Sequence, residues 1–251
     1  MLKSGNKLLD LIAAADAGAT SAILEHAQRI EFEGCRKLQR AGDPIESCYF
    51  PADGVLATVW PVDVKTEVST LGIGYDGAVN VGPGTELSRA PHHVVSHLPG
   101  TLFQVPAGFW QELLEQNSKV RNLVCRYADF LLGYAQKALA CQMRHDVESR
   151  FCRWLLELHY WQRGKPLSIT HQGLARVLGV RRTTVTLLAG SLQEAGIISY
   201  RRSSIEVVDA YALHQASCRC QDSDHPWASL AAREPQSDQA GEPRSWVPAS
   251  S

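Results

Sequence analysis

Residues 168–200 constrain the fold of this 251-residue chain more tightly than any other segment. Thr170 is a favourable helix N-cap, and Gly179 tolerates positive φ at the point where a first short helix would end. A second helix is predicted over residues 183–194. The residues expected to face inward are Leu174, Ala175 and Leu178 in the first helix and Val185, Leu188 and Leu192 in the second. Two short helices joined by a glycine turn predict a helix-turn-helix.

The outward surface of this segment is suited to DNA. Arginine can form two parallel hydrogen bonds with guanine, and threonine can contact base edges or a thymine methyl group. Such residues lie at or near the start of the second helix: Arg181, Arg182, Thr183 and Thr186. Helix starts also favour phosphate, and the candidates for such contacts are Thr170, His171, Gln172 and Thr184. Segments 197–200 and 205–208 predict a small hairpin, or wing, whose tip residues Arg201 and Arg202 would hold the DNA backbone by charge.

The charge distribution agrees with a polyanionic partner for this part of the chain. The net charge of −1 conceals ten Lys and Arg against four Asp and Glu in residues 144–202, a balance of +6. Residues 1–143 carry 12 against 15, and residues 203–251 carry 3 against 7, so both flanks are acidic. A basic block between two acidic ones favours nucleic acid at the basic block.

The N-terminal half follows a different pattern. Helical spacing of leucine and isoleucine predicts a helix over residues 7–27. Glycine and proline then punctuate short apolar runs, which predict strands at 48–50, 55–60, 79–81, 94–98 and 102–105. Short strands at close spacing indicate an all-β barrel or roll.

A heptad pattern follows the β-rich region. Apolar and aromatic residues recur at alternating spacings of 4 and 3: Val120, Val124, Tyr127, Leu131, Tyr134, Ala138 and Cys141. This seam predicts a dimerisation helix, and the alternative is a helix that packs its apolar stripe on its own domain. The last segment, 216–251, is rich in Ser, Pro, Gln and Asp and is predicted to be disordered.

These features resemble the Crp–Fnr transcription regulators. The resemblance is carried by LARVLGVRRTTVT at 174–186, LQEAGII at 192–198, AGDPIESCYF at 41–50, Gly54, and HDVESRFCRWLL at 145–156. It implies an α+β fold with a jelly-roll-like, cyclic-nucleotide-binding-like β-roll, a long dimerisation helix and a C-terminal winged helix-turn-helix. The implied divisions are 8–116 for the sensory roll, 117–143 for the dimerisation helix, 144–215 for the DNA-binding domain and 216–251 for the tail.

The resemblance also implies partners and residue roles. It implies a homodimer that binds a two-fold symmetric site on double-stranded DNA and works with RNA polymerase. Arg182, Thr183 and Thr186 would read bases with Leu187 beside them, and Arg181 at the helix entry would contact phosphate. The roll departs from the family's cyclic-nucleotide binders, because no arginine lies where the phosphate would need one. We therefore expect no cyclic nucleotide, and the effector is unknown.

Other functional classes find less support in the sequence. Gly72-Ile-Gly-Tyr-Asp-Gly matches a dinucleotide fingerprint only superficially, since no helix is predicted after it, and no other catalytic motif is present. We therefore expect no enzyme, cofactor or metal, and with no membrane span or signal peptide we expect a cytoplasmic protein. Two alternatives stay open. One is a protein-interaction module with a structural helix-turn-helix.

The other alternative is a regulator that senses haem, metal or redox state. His92, His93 and His97 fall within six residues, a spacing that can bind metal or haem, although exposed loop histidines are the simpler interpretation. Cys35 and Cys48 are too few for an iron–sulfur cluster. Cys218 and Cys220 form a Cys-x-Cys pair at the edge of the tail that can bind metal or be oxidised.

Overall fold

The computed structural model of the chain describes residues 4–63, 66–84, 89–201 and 204–221. It begins with two helices, α1 (Lys7–Ala15) and α2 (Ala17–His26). A single helix over 7–27 was predicted, and the difference arises at Asp16, whose backbone is extended at φ −158°. The Asp16 carboxylate accepts a hydrogen bond from the backbone N–H of Ala19, so it caps a new helix instead of continuing the first.

Two antiparallel sheets form the β-roll. One sheet has the order β1-β7-β3 and the other has the order β2-β6-β4-β5. The first sheet consists of β1 (Gln28–Phe32), β7 (Gly100–Pro106) and β3 (Ser47–Pro51), and the second of β2 (Lys37–Gln39), β6 (His93–Leu98), β4 (Val55–Pro61) and β5 (Glu67–Ile73). Tyr49 pairs with Gln104 in the first sheet, and Ala57 pairs with Val95 in the second. Phe32, Leu56 and Leu102 are buried in the core that the sheets share.

The roll confirms four of the five predicted strands. The predicted strand at 79–81 is reduced to an isolated bridge between Val79 and Tyr49. Strands β1, β2 and β5 were not predicted. The roll is therefore larger than the apolar runs alone indicated.

Two helices follow the roll, α3 (Ala107–Gln116) and α4 (Ser118–Arg144). Asn117 separates them, and its side chain accepts from the N–H of Val120 to cap α4. At 27 residues, α4 is by far the longest helix in the described part of the chain. The first half of α4 packs on the roll through Val120, Val124 and Tyr127.

The C-terminal part contains α5 (Val147–Trp161), α6 (His171–Leu178), α7 (Arg182–Glu194), the hairpin β8 (Ile198–Arg201) and β9 (Ser204–Val207), and α8 (Ala210–Ala216). A 3₁₀ turn follows at Arg219–Gln221. Neither α8 nor this turn was predicted. The predicted disorder is wrong for residues 216–221, because the Cys218 N–H donates to the Ser149 carbonyl on α5 at 3.2 Å and Cys218 is buried. The rest of the predicted tail lies outside the described residues.

The roll and the C-terminal part share one apolar core. Val55 and Leu98 of the roll are buried in the same cluster as Trp154 and Trp161 of α5. Gly74 makes this contact possible, since a Cβ built there would lie 2.1 Å from Cδ1 of Trp161. Two glycines of the dinucleotide-like motif, Gly72 and Gly74, therefore accommodate tryptophan rings, and the third, Gly77, lies against Tyr127. Within the described residues, no helix is both long and apolar enough to cross a lipid bilayer.

Candidate DNA interface

The turn between α6 and α7 has the predicted geometry. The Thr170 hydroxyl oxygen accepts from the backbone N–H of Gly173 at 3.1 Å and caps α6. Gly179 ends α6 in the left-handed conformation at φ 65°, which a residue with a side chain rarely adopts. The Val180 N–H then donates to the Ala175 carbonyl at 3.1 Å. This turn fixes the direction in which α7 leaves α6.

The packing of α6 on α7 sets which face of α7 is free. The inward residues that the sequence predicted are buried, namely Leu174, Ala175, Leu178, Val185 and Leu192, and Leu188 is half-buried. Ala189 adds to this buried face of α7. Because α7 contacts α6 along this stripe, its opposite face is presented to solvent.

The exposed start of α7 carries the predicted base-reading residues. Arg181, Arg182 and Thr183 are exposed, and Leu187 is 73% exposed one turn further along. Arg181 stands at the N-cap position without a side-chain cap, and the first turn of α7 holds no acidic residue. Neither arginine joins an ion pair within the described ranges. Positive side chains and unpartnered helix N–H groups together form an anion-binding end.

Thr186 is linked to His171 instead of projecting freely. Its hydroxyl oxygen lies 2.9 Å from Nδ1 of His171 and donates to the Arg182 carbonyl at 3.1 Å. With the hydroxyl proton used on that carbonyl, Nδ1 of His171 is the donor to Thr186. The hydroxyl is therefore engaged within the helix pair, while the exposed part of Thr186 remains available for apolar contact.

The position of His171 disagrees with the prediction that it contacts phosphate. The residue is buried, and its ring stacks on Tyr200 with centroids 4.4 Å apart. Burial, and then the nearby Arg182, lower the pKa of His171 below its usual value. A neutral, stacked imidazole positions α7 and the wing, and is not presented to a DNA backbone.

The remaining predicted phosphate contacts occupy varied positions. Gln172 is exposed, Thr184 is half-buried, and the exposed Thr170 uses its hydroxyl for the cap. Arg201 is exposed at the end of β8, whereas Arg202 lies outside the described residues. The wing is joined to α7 by the Tyr200 N–H, which donates to Oε1 of Gln193 at 2.9 Å.

The predicted dimerisation seam on α4 is largely an internal surface. Val120, Val124 and Tyr127 are buried in the roll, and Cys141 is buried against Cys218. Leu131 and Ala138 are half-buried, and Tyr134 donates to Oε1 of Glu157 at 2.9 Å. The alternative that the sequence left open, a stripe packed on its own chain, is therefore correct for the buried positions.

A different stripe of α4 faces solvent. We call it the exposed α4 stripe, and it consists of Leu132, Leu139 and Met143, which are 59%, 63% and 82% exposed. Leu132, Leu139 and Met143 follow spacings of 7 and 4, which place them on one side of the helix. An exposed apolar face of this kind is a candidate contact surface.

The histidine group does not converge on one point. His97 is buried in β6 with Nε2 3.0 Å from the Ser69 hydroxyl oxygen, and burial, and then Arg176, lower its pKa to about 4. His93 accepts the Ala41 N–H at Nδ1, and His92 lies beside the Trp60 ring. The interpretation as exposed loop histidines is wrong for His97. Among the described residues these histidines form no metal-binding group.

Comparisons with known proteins agree with the fold and with the helix-turn-helix. Residues 149–216 match the family profile of the Crp-like helix-turn-helix domain. The global nitrogen regulator of Synechococcus elongatus is 25% identical over 226 residues, which cover 86% of this chain and 99% of that protein. The anaerobic regulatory protein of Pasteurella multocida is 23% identical, covering 72% of this chain and 68% of that protein.

Solved structures show the same fold. FixK2 from Bradyrhizobium japonicum superposes with a TM-score of 0.65 at 13% identity, covering 76% of this chain and 98% of that one. A Crp-family regulator from Thermus thermophilus gives a TM-score of 0.61 at 14% identity, covering 76% and 96%. The fold and the helix-turn-helix together are those of a transcription regulator with a DNA-binding domain. Residues 149–216 carry a Crp-like helix-turn-helix domain, and the chain as a whole is similar to regulators of the Crp–Fnr family.

Proposed function

We propose that this chain binds a two-fold symmetric DNA site as a homodimer, with one α7 helix in the major groove of each half-site. The observation that carries the proposal is the exposed start of α7, where Arg181 and Arg182 project from a helix that α6 and the wing hold in place. Arg182 is the principal base reader, with Thr183, Thr186 and Leu187 beside it. Half-sites are then about one helical turn apart.

The phosphate contacts follow from the same docking. The candidates around the starts of α6 and α7 are Thr170, Gln172, Arg181 and Thr184, and Arg201 lies at the end of β8 in the wing. Arg202, the next residue in the sequence, is proposed as a further phosphate contact. Such contacts fix the register of a protein on DNA without reading sequence. Affinity that depends on them falls steeply as the salt concentration rises. His171 supports the interface as a positioning residue.

The homodimer rests on the exposed α4 stripe. Two copies of α4 packed through Leu132, Leu139 and Met143 would cover this apolar surface and would set the two DNA-binding domains on opposite sides of a two-fold axis. The proposed division of labour is a roll over residues 8–116, a dimerisation helix over 117–143 and a DNA-binding domain over 144–215. As a regulator without a catalytic role, the protein would act on RNA polymerase in the cytoplasm.

The roll would serve as a sensory or vestigial domain. Arg89 is exposed, and its Nη1 donates to the Gly42 carbonyl at 2.8 Å, so it is committed to the roll surface. A buried phosphate needs a paired cation, and its absence is costly. We propose that the effector, where one exists, is not a cyclic nucleotide. A conformational change in the roll would reach the DNA-binding domain through the contacts that the tryptophans of α5 make at Gly72 and Gly74.

Selection from a random DNA library with purified full-length protein tests the proposal. We expect an enriched palindrome, with or without added small-molecule extract, and the comparison of the two conditions reveals whether the roll needs a ligand. In Arg182→Ala we expect a loss of about 1–3 kcal/mol in discrimination at one base position of each half-site. Arg144→Ala, which removes an exposed arginine at the end of α4, serves as the matched control.

Two results would contradict the proposal. The first is no enrichment under either condition, which favours a protein-interaction module. The second is an equal loss of base discrimination in Arg182→Ala and in Arg144→Ala. That result would show that general positive charge, and not a base contact, supplies the binding.

A further inference from the structure

Three cysteines that are far apart in the chain meet in one place. Cys141 lies near the end of α4, Cys218 follows α8, and Cys220 lies in the 3₁₀ turn. Their three sulfur atoms all lie within 4.8 Å of one another, and Sγ of Cys141 is 3.5 Å from Sγ of Cys218. We call this group the thiol cluster. None of its members belongs to the DNA interface.

The spacing of the thiol cluster matches metal coordination. Zinc bound tetrahedrally at about 2.3 Å from each sulfur holds its sulfurs about 3.8 Å apart. A spread of up to 4.8 Å needs only small side-chain adjustments to reach that distance. Thiolate sulfur is the soft ligand that selects zinc and cuprous ions over magnesium or calcium.

The backbone around the cluster is held by ordinary structure. The Cys218 N–H donates to the Ser149 carbonyl on α5, and the preceding helix α8 buries Leu213 in the C-terminal core. Cys141 sits on α4 one turn before that helix ends, where its carbonyl accepts from the His145 N–H. Three sulfurs are thus presented by supported elements, which preorganises a site.

The charged side chains near the thiol cluster favour a metal ion that is bound by several thiolates. Three thiolates give Zn²⁺ a net charge of −1 and Cu⁺ a net charge of −2. Arg153 interacts electrostatically with both Cys141 and Cys218, and its Nη1 is 2.5 Å from Oε1 of Glu157. The guanidinium offsets part of the excess negative charge and is held in place by the carboxylate.

The alternative use of such a cluster is a disulfide. Sγ of Cys141 and Sγ of Cys218 lie 3.5 Å apart, so a disulfide between them would require the two sulfurs to approach to about 2.05 Å. A metal ion displaces the protons directly and uses all three sulfurs, whereas a disulfide leaves one unused.

We propose that Cys141, Cys218 and Cys220 bind one thiophilic metal ion, Zn²⁺ or Cu⁺, through their three sulfur atoms. Each thiol loses its proton to solvent as its sulfur bonds to the ion, and a water molecule completes the tetrahedron of Zn²⁺, while Cu⁺ needs no fourth ligand. The bound ion would join the end of α4 to the segment that follows the DNA-binding domain. Its consequence for DNA binding rests on the proposed function, whereas the site itself does not.

Metal content tests the site without DNA. Reduced full-length protein is loaded anaerobically with Zn²⁺ or with Cu⁺, dialysed against a weak chelator and analysed by elemental mass spectrometry. We expect one ion per chain to be retained, and the two loadings show which ion the site holds more tightly. Co²⁺ in place of zinc should give thiolate-to-metal charge-transfer absorption in the near ultraviolet.

Serine variants assign the ligands. Cys220→Ser, at a half-buried position, and Cys141→Ser should each weaken retention of the metal ion at least about tenfold. Loss of a residue that only hydrogen-bonds to a metal ligand already lowers metal affinity by about that factor. Cys35→Ser and Cys125→Ser, which alter exposed cysteines, should retain the ion fully. Circular dichroism of each variant shows that the fold is kept.

Three outcomes would overturn the site. One is no ion retained by the unmodified chain under either loading. Another is a loss of metal retention in the Cys35→Ser control that equals the loss in Cys141→Ser and Cys220→Ser. The third is a chain that retains no ion and whose intact mass, without reductant, is lighter by two hydrogen atoms, which identifies a disulfide pair. DNA selection on the same preparations is scored separately, so failure of the DNA-binding proposal is distinguishable.

Discussion

The two halves of α4 differ in what covers them. The first half buries Val120, Val124 and Tyr127 against the roll of its own chain, whereas the second half exposes Leu132 and Leu139. Both halves show helical apolar spacing in the sequence. Apolar spacing in the sequence therefore shows that a helix has an apolar face. It does not show whether that face packs on the same chain or on a partner.

Tyr127 shows why the first half cannot face a partner. Its hydroxyl donates to the Ala78 carbonyl at 2.9 Å and accepts from the Ala78 N–H at 2.8 Å, both in the buried interior of the roll. A Cβ on Gly77 would lie 2.5 Å from that hydroxyl oxygen, so glycine is needed beside it. Burial also raises the pKa of Tyr127 well above its usual value.

Truncation of Tyr127 gives the largest effect that we expect on either half of α4. Tyr127→Ala should reduce the free energy of unfolding by about 3–5 kcal/mol, as loss of other buried aromatic side chains does. Urea denaturation of the full chain measures it. Tyr211→Ala is the matched control, because Tyr211 is 75% exposed and its truncation should change stability by less than about 0.5 kcal/mol. Equal effects of the two variants would contradict the assignment of this half of α4 to the interior.

His97 extends the comparison to the contact between the roll and α5. Its ring meets the Trp154 ring edge-on, with centroids 6.2 Å apart, and burial holds its pKa at about 4 against an ordinary 6.5. The unfolded chain therefore binds a proton below about pH 6.5, while the folded chain does so only near pH 4. Stability should fall as the pH drops through this range, by up to about 3 kcal/mol from this group.

Unfolding experiments at several pH values isolate this contribution. His97→Gln removes the titration, so the difference in unfolding free energy between the variant and the unmodified chain should shrink steadily from pH 7 to pH 4. His92, His93, His159 and His171 also have lowered pKa values and contribute to both proteins alike. A difference that does not change with pH would show that His97 titrates normally in the folded chain.

The DNA-binding domain was predictable because its signals are local. The cap at Thr170, the positive φ at Gly179 and the inward faces of α6 and α7 each depend on residues within one or two helical turns. His171 was misassigned because its environment comes from Tyr200, on a hairpin 29 residues further along the chain. Local pattern reveals where a helix begins but not which later strand covers its first residue.

The roll was predicted less completely for a physical reason. Strand β1 has the exposure pattern of an edge strand, with only Phe32 buried, and so lacks an apolar run. Strand β5 contains Gly72, which fits the tryptophans of α5 and weakens the strand signal. The thiol cluster was likewise hidden, since 77 residues separate Cys141 from Cys218. These features depend on contacts distant in sequence.

The exposed half of α4 gives the last and smallest expected effect, and it concerns association instead of folding. Leu139→Glu puts a charge at the centre of the exposed α4 stripe, where a homodimer would have to bury it without a partner. We expect dimer dissociation to become easier by at least about 2 kcal/mol, the scale of an interface hot spot. Sedimentation equilibrium measures it, while circular dichroism should show an unchanged monomer fold.

Leu187→Glu is the matched control, since it places the same charge on a residue that is 73% exposed but lies on α7. That variant should leave the dimer intact and reduce DNA binding, because the added carboxylate repels phosphate and alters the base-reading face. If Leu139→Glu stays dimeric, the second half of α4 is not the dimer interface. The two halves of α4 would then differ only in that the first is buried and the second is exposed. If both variants dissociate, α7 itself takes part in association, and the free face proposed for DNA would be covered by protein.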